Sequence, residues 1–142
     1  MSFINWDETF ILNVREIDLQ HKQLADLVNE IYVRVLDHDI DYVCNYAINR
    51  LIERTRHHFD TEESIMTQTE YPNIQEHKDI HNDLIEQIKN LSTRLRVELL
   101  FDYIEVLAFL RAWLNDHLLE EDTKLVEFLI KSGRKYDVED ML

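Results

Sequence analysis

The stretch from residue 57 to residue 84, HHFDTEESIMTQTEYPNIQEHKDIHNDL, decides how the chain is read. His58 and Glu62 are four residues apart, and so are His77 and His81. A four-residue step on an α-helix returns a side chain to nearly the same face, about 40° on, so each pair is able to grip one ion. Between the pairs lies Thr67 to Asn73. There Pro72 disfavours helix at Tyr71 and removes a backbone donor, so the two helices are expected to fold back antiparallel and bring all four groups into one core. One such pair alone is weak, since histidine is common on helix surfaces, and its weight depends on what the other helices offer at the same depth.

The rest of the composition agrees with long helices. Across 142 residues there is one Gly, one Pro and 31% charged residues, which leaves few turn formers and few strand breakers and favours an all-α single domain over 1-142. That length buries a core without disulfides, and the single Cys44 fits a reducing compartment and a small buried apolar role. No basic leader opens the chain and no apolar run approaches the ~20 residues that span a bilayer, so the cytoplasm is the expected location. A net charge of -14 repels phosphate backbones and anionic lipid, which argues against nucleic acid and membrane surfaces as partners.

Residues 1-17 read as an extended arm, with Trp6, Phe10, Ile11, Leu12, Val14 and Ile17 apolar but without helical period. Asp18 is the expected N-cap of a first helix over 18-37, whose stripe His21, Leu24, Val28, Ile31 and Val35 places His21 among core residues. Taken alone, His21 reads as a hydrogen-bonded core histidine. A second helix over 41-66 buries Ala47, Ile48, Leu51 and Thr55, with His58, Glu62 and Ile65 on the same face; His57 points about 100° away. A third helix over 74-95 carries His77, His81, Leu84, Ile88, Leu91 and Leu95 on one stripe, and a connection within Ser92 to Glu98 leads to a fourth over 99-131, ended by Ser132-Gly133. There the face through Leu107, Leu110, Trp113 and Leu114 reaches His117, followed by Glu120, Glu121 and Asp122. Spacing favours Glu121, four residues on, over Asp122, which is rotated by about 140° from His117, while an acidic run is also often a solvated face. No phosphate-binding glycine loop, Ser/His/Asp set or CxxC pair occurs.

These residues together resemble the hemerythrin family, and in particular its single-domain bacterial members. The likeness runs from about Phe3 to Phe128. It rests on Trp6-Asp7, Ile17-Asp18-Leu19-Gln20-His21 with Leu24, His58-Phe59 with Glu62-Glu63 and Met66, Tyr71-Pro72, His77 with His81, and Trp113-Leu114 before His117 with Asp122. The family pattern takes an Asp five residues after the last His, so the resemblance selects Asp122 where spacing favours Glu121. It implies an antiparallel up-down-up-down four-helix bundle with an extended N-terminal arm. It also implies two iron ions (Fe2+/Fe3+) bridged by an oxo or hydroxo group and by two carboxylates, Glu62 and Asp122. His77, His81 and His117 would hold one iron and His21 and His58 the other, which keeps an open position.

The function implied is reversible O2 binding for storage, delivery or sensing, without catalysis. Trp113, Leu114, Phe59 and Leu118 are the expected apolar lining. The competing readings are a di-iron oxidase or peroxidase, and an iron-storage or oxygen-sensor module acting through a protein partner that receives oxygen or signal. Five histidines against two carboxylates, with no Glu-x-x-His pair at the site, argue against the carboxylate-rich oxidases. Imidazole and carboxylate suit zinc and manganese as well as iron, so iron rests on the resemblance. The expected assembly is a monomer or small homo-oligomer. One departure is Leu125, where many bacterial members carry a Tyr three residues after the bridging Asp.

Overall fold

A computed structural model describes Ile4 and residues 10–97, 103–115 and 120–132 of the chain. Among these residues the chain is helical without strands, in the order α1 (Arg15–Leu36), a short α2 (Ile40–Tyr42), a π-helical segment (Val43–Ala47), α3 (Ile48–Thr69), α4 (Ile74–Val97), α5 (Tyr103–Asn115) and α6 (Asp122–Lys131). The helices form an antiparallel bundle. Gln20 meets Thr61 at 2.9 Å while, further along α1, Glu30 meets Arg50, earlier in α3, at 3.3 Å. The α3–α4 pair runs the same way, with His77 against Glu62 at 2.9 Å and the Arg96 guanidinium donating to the carbonyl of Cys44 at 2.6 Å.

The first helix begins at Arg15, three residues before Asp18, and Val14 rather than Asp18 is its N-cap. The reason is visible in the contacts of Asp18. Its carboxylate faces back along the chain and accepts the backbone N–H of Leu12 at 2.8 Å and of Asn13 at 3.1 Å, so it anchors the arm to a helix already under way. Ile4 and Phe10 of the arm are buried, and the side chain of Asn29 clamps Ile4 by accepting its N–H and donating to its carbonyl. Trp6 lies outside the described residues.

At the decisive turn α3 continues to Thr69, beyond the expected end at Met66. It closes with Glu70 in the left-handed region at φ 57°, while the N–H of Tyr71 reaches back to the carbonyl of Met66 at 2.9 Å, and that of Glu70 to Thr67 at 3.4 Å. Pro72 then keeps the chain from continuing. Helix α4 runs to Val97, past the Ser92 where the connection was expected to begin. In the last helical stretch, α6 ends at Lys131 with Ser132 as C-cap, and Gly133 lies outside the described residues.

The apolar core is divided in two. One cluster joins Leu24, Val28, Ile31, Val35, Ala47, Ile48, Leu51, Ile88, Leu91, Leu110, Trp113 and Leu114. The other joins Val14, Ile17, Ile65, Met66, Tyr71, Leu125, Val126 and Leu129. Along α1 the boundary falls between Ile17 and Leu24, along α3 between Leu51 and Ile65, and further along the chain between Leu114 of α5 and Leu125 of α6. Those intervals contain His21, then Thr55, His58, Thr61 and Glu62, then Asp122, all buried. A polar layer therefore crosses the bundle between two hydrophobic ones. No helix among the described residues is long and apolar enough to cross a membrane.

Candidate metal centre

Each side chain of the polar layer is brought inward by the stripe it sits on. His21 takes the place of an apolar residue between Ile17 and Leu24, and His58 and Glu62 do so between Leu51 and Ile65. His77 and His81 occupy successive turns at the start of α4. His21, His58, Glu62 and Asp122 are fully buried, and His77 and His81 nearly so. Two groups of donor atoms result. His21, His58, Glu62 and Asp122 form one and Glu62, His77, His81 and Asp122 the other, with ligand atoms inside each lying within 4.8 Å of one another. Both carboxylates belong to both groups.

The donor atoms of each group are close enough together to share one cation. In the first group, the Nε2 atom of His58 lies 3.1 Å from Nε2 of His21, 3.0 Å from Oδ2 of Asp122 and 2.5 Å from Oε1 of Glu62. Nε2 of His21 is 2.6 Å from the same Asp122 oxygen. In the second group, the other Glu62 oxygen is 2.9 Å from Nε2 of His77 and 3.2 Å from Nε2 of His81. Asp122 offers its own other oxygen to His77 at 3.7 Å. Cations with bonds of about 2.1 Å hold neighbouring octahedral ligands about 3 Å apart.

Hydrogen bonding independently shows why a cation fits. The amide nitrogen of Gln20 donates to Thr61 Oγ1 at 2.9 Å and to Glu16 at 3.1 Å, which leaves its oxygen to accept from Nδ1 of His58 at 2.8 Å. The His58 proton is thus on Nδ1. Its Nε2 lone pair then confronts a second imidazole nitrogen and two carboxylate oxygens, an arrangement that requires positive charge in their midst.

Where only protons supply that charge, the imidazoles take it. Burial pushes His58 down, but the field of Glu62 and hydrogen bonding to Asp122 and Glu62 outweigh it and raise His58 to about 10. For His77, too, burial acts downward and is overcome by hydrogen bonds to Asp122 and Glu62, which bring it to about 10. Burial and Asp122 push Glu62 up; His58 pulls it down, and its carboxyl is held at about 2. A pair of divalent cations would meet the same demand with imidazoles left neutral.

The aromatic surroundings fix the rings. Phe59 stacks on His81 with centroids 3.7 Å apart and planes 4° from parallel. Tyr71 stands edge-on to His77 at 6.1 Å and packs on Phe128 at 5.1 Å. Phe59, Trp113 and Leu114 of the expected lining are buried; Leu118 lies outside the described residues.

Of the seven expected site residues, the structure brings six together: His21, His58, Glu62, His77, His81 and Asp122. His117 lies outside the described residues. The neighbours rejected at the sequence level lie elsewhere. His57 is exposed, Glu63 is 3.7 Å from Nδ1 of His81 on its outer side, and Glu121 pairs with Lys124 at 3.1 Å. Sequence reading assigned no role to Gln20 or Thr61; Thr61 lies three residues after His58 and Gln20 directly before His21, and both are buried, but their pairing shows only in the packing of α1 on α3.

The comparisons with known proteins follow the same lines. The model of the hemerythrin HHE cation binding domain matches residues 12–129. The chain belongs to this family. A hemerythrin-family bacteriohemerythrin from Clostridium acetobutylicum is 28% identical over 131 residues, covering 86% of this chain and 98% of its own length. A myohemerythrin from Theromyzon tessulatum is 26% identical over 119 residues, covering 84% and 88%. Among solved structures, a hemerythrin point mutant superposes with a TM-score of 0.78 at 23% identity, covering 89% of this chain and 97% of that one, which shows the shared helical bundle.

Proposed function

We propose that this hemerythrin-family chain binds O2 reversibly at a non-haem di-iron centre. The observation that carries the reading is that two buried carboxylates, Glu62 and Asp122, are each shared between two groups of histidine nitrogens. In this reading His21 and His58 would hold one iron and His77, His81 and His117 the other, with Glu62 and Asp122 available to both. His117 enters by family resemblance alone. When bound, a pair of Fe(II) ions supplies two electrons to O2 and takes them back on its release.

The chain's own residues have three tasks. Gln20 holds His58 with its proton on Nδ1, so that Nε2 is the nitrogen presented to the centre. Phe59, stacked on His81, and Tyr71, edge-on to His77, restrict both rings to one orientation. The two apolar clusters on either side exclude water, which slows loss of electrons to solvent. An open pocket of about 290 Å³ lies beside α4 and α5, walled by Ile80, Leu84, Phe109, Ala112 and Trp113 with Gln87, Glu120 and Glu121 at its polar edge; none of the proposed ligands lines it. Among the described residues no acid or base beyond the proposed ligands lies in the buried layer for a general acid-base step, which favours binding over turnover.

The test is oxygen titration of the diferrous protein. Uptake of about one O2 per iron pair, reversed under argon with the original spectrum restored, is expected. Conversion to the diferric form alone, with hydrogen peroxide or an oxidised co-substrate accumulating over many cycles, would make the protein an oxidase.

A further inference from the structure

We infer that Gln20 is a positioning residue for the centre, its neutral amide holding the His58 ring with the proton on Nδ1 and Nε2 turned toward the donor cluster. The inference rests on the di-iron reading above, and on a closed hydrogen-bond circuit between α1 and α3. The hydroxyl of Thr61 donates to the carbonyl of His57 at 3.2 Å, the amide nitrogen of Gln20 donates to that hydroxyl at 2.9 Å, and Nδ1–H of His58 donates to the amide oxygen of Gln20 at 2.8 Å. Glu16, one turn earlier on α1, takes the second amide proton at 3.1 Å. Both of the amide's donors are committed, so it has one way round. Gln20 is 3% exposed and Thr61 4%, which removes water as a competing partner.

A carboxylate in that position would draw the Nδ1 proton toward itself and make the imidazole a stronger donor to its metal. The amide orients the ring without doing so. Nδ1 of His21, by contrast, has no hydrogen-bond partner among the described residues.

Two substitutions separate orientation from volume. Gln20→Met keeps the bulk and loses the acceptor; Gln20→Glu keeps the acceptor and adds charge. Zinc, which is diamagnetic, serves as probe in a chelator competition, and long-range proton–nitrogen spectra report the His58 tautomer. The expected result is that Gln20→Met weakens zinc binding by about 10–100-fold and that Gln20→Glu restores it. With iron, Gln20→Glu is expected to oxidise faster in air than the wild type. Equal zinc affinity in wild type and Gln20→Met, with the His58 signals unmoved, overturns the assignment. Should Gln20→Met not fold, Gln20→Glu alone decides: its His58 Nδ1 proton is expected downfield of wild type, and an unchanged shift overturns the assignment. A wild type that holds zinc through Nε2 of His58 but does not release oxygen refutes the proposed function while leaving the role of Gln20 standing.

Discussion

Glu62 and Asp122 are two fully buried carboxylates among imidazoles, and the source of the compensating charge governs how stability follows pH. In metal-free protein the charge comes from protons. His58 and His77, raised from 6.5 to about 10, contribute stability that is complete below pH 6.5 and lost as the pH climbs toward 10. Glu62, lowered from 4.5 to about 2, contributes stability that is present above pH 4.5 and lost as the pH falls toward 2. Chelated protein is therefore expected to melt at its highest temperature between about pH 4.5 and 6.5. Metal requires neutral imidazoles, so loading moves the optimum to higher pH and protons are released on binding. Calorimetric melting of chelated and iron-loaded protein across this range checks it. A chelated protein whose melting temperature is flat from pH 6.5 to 10 would show that these imidazoles do not carry the charge.

At the scale of the element, the informative place is the entry to α6. A straight α-helix turns Glu121 to the side from which His117 starts, and Asp122 away from it. The backbone at Glu120 and Glu121 is instead π-type, which widens the turn by about one residue and carries the inward position on to Asp122. Asp122 is consequently buried against His21 and His58, and Glu121 reaches out to Lys124. Asp122→Ala is expected to abolish the second metal and at least ten-fold of the affinity for the first, whereas Glu121→Ala leaves both within about two-fold. Metal titration of the two variants decides, and the reverse pattern would return the site to plain helical spacing. The helix-pair motifs needed no such correction, because His58/Glu62 and His77/His81 lie within regular α3 and α4. Periodicity was sufficient there and failed where the helix departs from its period. The first helix boundary failed for a related reason: Asp18 has the side chain of an N-cap, but it spends its oxygens on the arm.

For the whole molecule, a core made of two apolar clusters with a charged layer between them is an unstable design unless something fills the layer. Hydrophobic stripes made the bundle legible in the sequence, since they name the buried faces of α1, α3 and α4 almost residue by residue. The layer was legible as a list of polar residues at core positions. Its hydrogen-bonded supports were not, because Gln20 and Thr61 acquire meaning only from the α1–α3 register that brings them within 2.9 Å. Leu125, at a position where the resemblance favours Tyr, is fully buried with Ile17, Ile65 and Leu129 and so belongs to packing on this side of the centre. A di-iron centre in this bundle requires Glu62 and Asp122 to serve two cations at once. Iron content per chain, measured after anaerobic loading and removal of loosely held metal, tests that most directly. Two irons per chain, falling together when Glu62 is replaced by Ala, is the expected result. One tightly held zinc per chain and no retained iron would contradict it.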